Sequence, residues 1–355
     1  SWILEEIVKR GFVDAETVFI DATHIKASAN RKKRTKALAQ KTARSYDKQL
    51  RKEINEDREK NGKKPFRDKD DDGDGTGDAG EQREVIVSTT DPESGLFHKG
   101  EHKIEFAYTT HVACDKNNFI LGLEVTPGNV HDSLIFDQVY DQVVERFPEV
   151  DTVVVDAGYK TPWICKKIID DGRNPSMPYK RPMGKKGFFR SYEFVYDEYY
   201  NCVICPNNQV LPYVTTTREG YRQFKSDPNV CRSCPDLSCC TESRVHQKVV
   251  QKHIWEDYLE KAEDFRHSAK GKATYTMRGE TIERVFADAK EKHGMRYTHH
   301  RGLARVTNWV RLKFAAMNLK KLAMWAFKNG LSPSFFARIH VRRQKWALFL
   351  FETMP

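Results

Sequence analysis

The chain has 355 residues, a formal net charge of +10, 39% hydrophobic residues and 31% charged residues. A chain of this length can bury the core of one large domain or of two. No apolar run approaches the roughly 18 residues that a membrane span needs, and no signal peptide opens the sequence, so we expect a cytoplasmic protein.

The positive charge is concentrated in two segments. Residues 289–345 contain fourteen Lys or Arg against one acid, and residues 31–69 contain sixteen basic against six acidic residues. Such fields attract polyanions, and nucleic acid is the commonest polyanion in the cytoplasm. The distribution indicates nucleic-acid binding, and a solvated surface is the alternative.

The first strand signal ends on a carboxylate. Residues 17–27 read TVFIDATHIKA, and their apolar run breaks at Asp21. Ligands of open α/β sheets bind at the carboxyl ends of strands, so Asp21 is a candidate site residue. His24 continues the alternating pattern of the strand. We interpret it as a hydrogen-bonded residue in the wall of the site rather than as a metal ligand.

The next segment is highly charged. Residues 31–64 have a helical composition with a thin apolar stripe, which predicts a protruding basic helix that contacts a phosphate backbone. Residues 70–81 match the bare spacing of a calcium loop, but a β-like run follows at 84–87 where a helix is required. We therefore interpret 70–81 as an acidic linker.

Short strands and a helix come next. The runs EVIVSTT, IEFAYTTHVAC and FILGLEV predict an antiparallel meander with the first strand. Residues 132–147 have apolar positions at helical spacing, and Asp132 or Ser133 is expected to cap that helix.

The strand-and-carboxylate pattern then repeats. DTVVVDAGYK, residues 151–160, is an apolar strand that ends on Asp156, and Thr161 and Pro162 open a helix that closes near Gly172. The order βββαβα brings Asp21 and Asp156 to one edge of a sheet if their strands are parallel neighbours.

A later helix supplies a third carboxylate. From about residue 280, Glu283 and Lys290 share one helical face, beside an apolar face with Ile282, Phe286 and Ala289. An ordinary surface helix is the alternative for this stretch alone. Two strand-end aspartates and a glutamate can hold two divalent ions, and their oxygens suit Mg²⁺ or Mn²⁺.

Six of the eight cysteines lie between residues 202 and 240. Reduced thiols in the spacing C-x2-C and C-x2-C, each followed by proline, favour a tetrahedral zinc site over scattered core thiols. Cys202 and Cys205 compete for the first ligand position. Cys114 and Cys165 are expected to be buried core residues.

Taken together, these motifs resemble those of insertion-sequence transposases of the DDE class, in the branch with a cysteine cluster before the catalytic Glu. The resemblance covers about residues 17–325: VFIDATHIKA, STTDPESGLFHKG, EFAYTTHVACD, VTPGNVHDS, VVVDAGYKT and YTMRGETIERVFADAK. The last stretch is similar to the Tyr-Arg-Glu-Lys signature. It implies an RNase H-like α/β fold, a mixed sheet flanked by helices, with an inserted cysteine-rich subdomain.

The resemblance also implies residue roles. Asp21, Asp156 and Glu283 would be catalytic and bind two Mg²⁺ or Mn²⁺ ions. The zinc ligands would be Cys205, Cys231, Cys234 and Cys240. Tyr275, Arg278 and Lys290 would contact DNA, although Arg278 precedes Glu283 by five residues rather than the family's four. A helical DNA-end-binding region usually precedes the first Asp, so we expect an N-terminal part to be missing here.

The expected organisation follows from these motifs. The first core strand occupies 1–30, the charged insertion and linker 31–83, the continued core 84–180, the cysteine-rich insertion 181–274, the catalytic and closing helices 275–330, and a basic tail 331–355. The resemblance implies metal-dependent cleavage at transposon ends and strand transfer into target DNA by a nucleoid-associated bacterial protein, a homodimer on DNA. An inactive DNA-binding fragment or a structure-selective nuclease of the same fold is the alternative.

The basic closing helix is expected from Gly302 to Phe327, with an apolar stripe against the sheet at Leu303, Val306, Val310, Phe314, Met317 and Met324. Lys321 interrupts that stripe, and its amine is expected in water. Beside the catalytic helix, Arg296 and Arg301 are expected to contact the DNA backbone.

Overall fold

The computed structural model describes residues 2–40, 45–67, 82–99, 103–181 and 184–330. Its strands are β1 (Thr17–Lys26), β2 (Arg34–Gln40), β3 (Gln82–Ser88), β4 (Gly95–Lys99), β5 (Lys103–Asp115), β6 (Ile120–Pro127), β7 (Thr152–Val155), β8 (Asn174–Ser176), β9 (Val195–Asp197), β10 (Cys202–Ile204), β11 (Val210–Thr216), β12 (Tyr221–Lys225) and β13 (Val249–His253). Its helices are α1 (Trp2–Lys9), α2 (Asp47–Lys60), α3 (Phe136–Arg146), α4 (Pro162–Asp170), α5 (Pro228–Arg232), α6 (Leu237–Cys240), α7 (Glu256–His267), α8 (Ala269–Thr276), α9 (Ile282–Lys292) and α10 (Leu303–Lys328).

The larger sheet is mixed. Its described strands run in the order β2-β3-β4-β5-β1-β7-β8, and β6 pairs with β5 beyond the end of β4. β1 is antiparallel to β5, as expected for the meander, and parallel to β7, which is the condition under which Asp21 and Asp156 share one edge of the sheet. This mixed α/β arrangement is compatible with an RNase H-like domain.

Helices cover both faces of the larger sheet. Val18 and Ile20 of β1 pack with α3 and α4 on one face, in a cluster that includes Val139 and Ile164. Phe19 points to the opposite face, into a cluster with buried residues of α9 and α10. Strand side chains alternate between faces, so odd-numbered residues of β1 are directed towards α9.

Two strand predictions need correction. Residues 34–40 form β2 rather than part of a helix, because this segment pairs antiparallel with β3 along its whole length and those ladder bonds override its helical composition. β1 continues past Asp21 to Lys26, because β5 pairs with it that far although β7 ends at Val155. The proposed linker at 70–81 and the basic tail at 331–355 lie outside the described residues.

The helix expected at 132–147 starts later than its cap prediction required. Asp132–Leu134 is a short 3-10 helix, and the side chain of His131 accepts from the Ser133 backbone N–H. α3 begins at Phe136. His131 caps the short 3-10 helix and α3 has no side-chain cap bond at Ile135, so neither Asp132 nor Ser133 caps the predicted helix.

The cysteine-rich region contains a second sheet, with strand order β13-β12-β11-β10-β9. Its inner face buries Phe194, Val203, Leu211 and Phe224. The cysteine-rich region therefore encloses a small apolar core of its own.

The closing helix α10 packs along β6, and its buried positions repeat every fourth residue. They are Val306, Val310, Phe314, Asn318, Leu322 and Ala326. Met324 is 52% exposed, so its place in the predicted stripe is wrong. Lys321 also differs from expectation, because its amine donates to the Asn117 carbonyl and lies 5.2 Å from the Phe119 ring centroid rather than in water.

Asn318 fastens α10 to strand β6. Its side-chain oxygen accepts from the Ile120 N–H and its amide donates to the Ile120 carbonyl, both at 2.9 Å, in a site where Asn318 is 6% exposed. Replacing Asn318 with Ala leaves two buried backbone groups unpaired, so we expect a loss of about 2–4 kcal/mol in the free energy of unfolding. Urea unfolding measures this loss. The control Asn308→Ala, at an exposed position of the same helix, is expected to change stability little, and an equal loss in both variants would contradict the assigned role.

Within the described residues, none of the helices combines the length and apolar character that crossing a membrane requires.

Candidate metal-dependent site

The parallel pair β1 and β7 brings Asp21 and Asp156 side by side. The last paired residues are Ile20 and Val155, so each aspartate is the next residue of its chain. Phe19 and Val154, two residues earlier, are buried in the cluster beneath α9. The alternation of side chains therefore points both carboxylates to the face that α9 covers, with the two backbones about 4.8 Å apart at that level.

Asp156 also shapes the turn that follows β7. Its Oδ1 accepts from the Gly158 N–H at 2.8 Å and caps a short 3-10 helix, Ala157–Tyr159. The next helix, α4, starts where expected, because the Thr161 hydroxyl caps it and Pro162 occupies its first turn. These two caps fix the backbone that follows the carboxylate.

Glu283 reaches the same region through an arginine. It lies in the first turn of α9, and its side chain is 58% exposed. The Arg278 guanidinium forms an ion pair with the Asp21 carboxylate and lies 3.6 Å from Glu283 Oε1. Arg278 therefore bridges a carboxylate of the sheet and a carboxylate of the helix.

The backbone before α9 explains how Arg278 arrives there despite its unusual spacing. Met277–Glu280 is a 3-10 helix, and Thr281 then leaves helical geometry with ψ of −101° before α9 begins. The 3-10 segment and this break accommodate the extra residue between Arg278 and Glu283. The structure thus places Arg278 between carboxylates instead of on an open surface.

A fourth carboxylate, Asp132, adjoins the aspartate pair. Burial, followed by repulsion from Asp156, raises the pKa of Asp132 to about 6. Burial also raises the pKa of Asp21 to about 6, with Arg278 opposing the rise and with Asp156 and Asp132 adding to it. From the sequence, Asp132 or Ser133 is expected to cap the following helix, and the place of Asp132 beside the aspartate pair is not predicted.

Buried polar groups line the wall behind Asp132. His111 is 1% exposed, its Nε2 lies 3.0 Å from the Thr126 hydroxyl, and its Nδ1 lies 3.7 Å from Asp132. Burial lowers the pKa of His111 to about 3, so the ring is neutral at pH 7. The fully buried Tyr159 places its hydroxyl 3.5 Å from His111. Neither residue was singled out from the sequence.

The donor chemistry of this cluster fits hard divalent cations. It offers carboxylate oxygens, and the pKa of Asp21 is raised first by burial and to a smaller extent by the charges of Asp156 and Asp132, effects that a bound cation would offset. At present the guanidinium of Arg278 supplies that positive charge. Among the described residues, no three His, Cys, Asp or Glu side chains are gathered closely enough to hold a metal ion. A shift of Arg278 would be needed for one ion to reach both Asp21 and Glu283.

The raised pKa of Asp21 gives a testable pH dependence. A protonated carboxyl cannot bind Mn²⁺, so we expect affinity to rise by about tenfold per pH unit below pH 6 and to level off above it. Asp132→Asn removes a neighbouring negative charge and should move this transition to lower pH. Isothermal titration with Mn²⁺ from pH 5 to pH 8 measures both effects, and affinity that does not change over this range would contradict them.

The other predicted DNA-contacting residues surround α9. Tyr275 packs against the cluster under α9. Arg296 pairs with Glu291, and its backbone carbonyl accepts from the Lys26 N–H. The exposed Arg301 donates from Nε to the Ser28 carbonyl at 2.9 Å. Residues 296–301 therefore lie along the end of β1. Lys290 is half-buried on α9.

Four of the clustered cysteines face one small cavity. A space of about 30 Å³ is lined by Cys205, Cys231, Cys234 and Cys240. Each of the other three thiols contributes to raising the pKa of Cys240, after burial as the main cause. Among the described residues, however, these thiols are not gathered closely enough to form a metal-binding group.

The remaining cysteines lie elsewhere. Cys202 is 7% exposed on β10 and is absent from the cavity lining, whereas Cys239 is exposed. Cys114 and Cys165 are fully buried, as expected.

Two of the cavity cysteines receive hydrogen bonds. The Gln209 N–H approaches the Cys205 sulfur at 3.4 Å, and the Asn207 amide approaches the Cys234 sulfur at 3.0 Å. Such N–H donors commonly support metal-bound thiolates.

A family model described as a transposase DDE domain matches residues 204–323. The matched range includes Glu283 and the four cavity cysteines and ends before the C-terminus of α10. Comparisons with curated proteins and with solved structures gave no significant match. The family match supports a nucleic-acid-processing enzyme of the DDE transposase type.

Proposed function

We propose that this protein is a DDE transposase that cleaves DNA at transposon ends and transfers the released strand into target DNA. The observation that carries the proposal is the register of β1 and β7, which sets Asp21 beside Asp156 on the face covered by the Glu283 helix. The transposase DDE family match supports it independently, because neither aspartate lies within the matched residues 204–323.

In this proposal Asp21, Asp156 and Glu283 hold two Mg²⁺ or Mn²⁺ ions. When bound, such ions lower the pKa of an attacking water or hydroxyl and neutralise charge on the phosphate. The buried floor formed by Phe19 and Val154 keeps the two aspartates fixed on rigid strands, so little reorganisation is needed during the reaction. Glu283, on the exposed end of α9, adjusts more easily to the ions.

Arg278 has two roles in this account. In the free protein it neutralises Asp21 and limits the repulsion between adjacent carboxylates. Once cations replace it, its guanidinium is available to bind a DNA phosphate, which it matches with paired N–H donors. Tyr275, Lys290, Arg296 and Arg301 are proposed to contact the same DNA backbone. These contacts position the duplex without reading its sequence.

We propose that a zinc ion binds here, with Cys205, Cys231, Cys234 and Cys240 as its ligands. The shared cavity and the N–H donors near two of the sulfurs support this set over one that starts at Cys202. Thiolates would have to draw together by a small movement of α5 and α6 to reach tetrahedral zinc distances. The site is structural in this account and lies outside the carboxylate region.

Double-stranded DNA is the proposed partner, both as transposon end and as target. A homodimer on DNA is proposed because two ends must be processed together. The proposed setting is the bacterial cytoplasm, with the protein associated with the nucleoid.

The test is a cleavage and joining assay. Purified protein is incubated with Mg²⁺ and a plasmid carrying the sequences that flank the protein's own gene, together with a second, unmarked plasmid. We expect nicks at the flanking ends and covalent joining to the second plasmid. Hydrolysis at branched structures without joining would indicate a nuclease, and binding without any cleavage would indicate an inactive DNA-binding protein; either result would overturn the proposal.

A further inference from the structure

A basic groove separate from the carboxylate cluster runs between α9, α10 and the turn that joins β5 to β6. Its volume is about 460 Å³. Six cations line it, namely Lys116, Arg284, Lys292, Lys320, Lys321 and Lys328. Among the described residues Asp288 is the one acid in that lining, and it pairs with Lys292 at 2.7 Å. The lining therefore carries a large excess of positive charge.

The groove and the carboxylates lie on opposite flanks of α9. Glu283 and Lys290 are seven residues apart and share the flank near the sheet carboxylates, whereas Asp288 and Lys292 line the groove. With 100° per residue, Lys292 is about 180° from Glu283 around the helix. Phosphates bound at the carboxylates and phosphates bound in the groove would therefore lie on different sides of α9.

The cations form two rows of similar length. Arg284 and Lys292 are eight residues apart on α9, as are Lys320 and Lys328 on α10, which separates each pair by about 12 Å along its helix. A DNA strand rises about 3.4 Å per phosphate, so each row spans about three to four phosphates. Arg284, Lys320 and Lys328 are exposed.

The positive charge of the groove contributes to a pKa shift in one of its own lining residues. Burial, followed by the charges of Lys320 and Lys313, lowers the pKa of His293 in the groove wall. A bound polyanion would relieve this repulsion. The chain's own C-terminal segment, 331–355, is a poor occupant, because it carries four Lys or Arg against one acid.

We infer that this groove is a second DNA-binding surface, which holds the sugar-phosphate backbone of a duplex other than the one at the carboxylates. It recognises phosphate charge rather than base sequence, because its polar lining is dominated by cations. The inference extends the proposed function, since a strand-transfer enzyme handles two duplexes. It is tested by DNA binding alone and does not depend on cleavage.

The test is a bridging experiment in the absence of divalent metal. Full-length protein is loaded on an immobilised random-sequence 30-base-pair duplex, and capture of a second, fluorescent random duplex is measured. The variant Lys320→Glu with Lys328→Glu is expected to retain the first duplex within about threefold and to lose capture of the second by about tenfold or more, because four unit charges are changed along one row. The salt dependence of capture should become shallower by about 0.9 per lost contact.

A matched control carries the same change in charge elsewhere. Lys186→Glu with Arg244→Glu alters two exposed positions in the cysteine-rich region and should capture the second duplex as the wild type does. Circular dichroism checks that both double variants are folded, and the milder Lys320→Gln with Lys328→Gln should show an intermediate loss.

Three results would overturn the inference. The wild type could fail to capture a second duplex, or the Lys320 and Lys328 variant could capture it as well as the control does. The third is that poly-glutamate binds the wild type and not the variant while DNA capture stays equal, which would identify the groove as a site for an acidic protein segment. None of these results depends on cleavage, so the proposed transposase activity is tested apart from them.

Discussion

Asp21→Asn, Asp156→Asn and Glu283→Gln are each expected to reduce DNA cleavage by about a thousandfold or more. Each change removes one metal-binding charge, and bound ions contribute several kcal/mol of stabilisation to a phosphoryl-transfer transition state. The basic surfaces are unchanged, so DNA affinity should stay within a few fold. Nicking of a supercoiled plasmid and fluorescence anisotropy with labelled duplex measure the two properties.

Asp264→Asn is the control for these substitutions, because Asp264 is exposed on α7. It should cleave as the wild type does. Full cleavage by any one of the three carboxylate variants would remove that residue from the site. Parallel loss of cleavage and of DNA binding would instead indicate a folding defect.

The second large effect is expected at the cysteine cavity. Purified wild-type protein should contain one zinc per chain, and Cys234→Ser should contain none, because structural zinc binding of about 10–16 kcal/mol depends on a complete ligand set. Loss of zinc should release α5 and α6, which are only five and four residues long and cannot persist as isolated helices. The sheet β9–β13 should survive, since it buries an apolar cluster of its own.

Metal analysis and hydrogen exchange across residues 228–247 measure this effect. Cys239→Ser and Cys202→Ser are the controls, because neither residue lines the cavity. Both should retain zinc. Zinc-free wild-type protein in which the thiols of Cys205, Cys231, Cys234 and Cys240 react freely under native conditions would rule out the site.

Much of the catalytic region could be predicted from local sequence because its signals are local. The apolar runs before Asp21 and Asp156 predict buried strands, and the Thr161 and Pro162 pair predicts the start of the next helix. The parallel pairing of β1 and β7 agrees with that prediction. The apolar face of α9 is also buried as predicted, since 3.6-residue periodicity is intrinsic to the helix.

The remaining features depend on contacts between distant parts of the chain. Residues 34–40 become a strand because β3 offers an edge to pair with. Asp132 lies close enough to Asp156 for repulsion to raise its pKa, a proximity that the local helix-cap pattern does not predict. Arg278 pairs with Asp21, which is 257 residues away in sequence. It does so from a 3-10 segment that the sequence pattern does not predict. Such outcomes depend on tertiary packing rather than on propensity or periodicity.

The most direct test of the central claim is the binding of Mn²⁺ to the free protein, followed by electron paramagnetic resonance at pH 7.5. Wild-type protein should bind Mn²⁺ tightly enough to deplete the free-ion signal, Asp156→Asn should lose that binding by about tenfold or more, and the Asp264→Asn control should match the wild type. Indistinguishable binding curves for wild type and Asp156→Asn would contradict the account, because the aspartate pair on β1 and β7 would then not be a metal site.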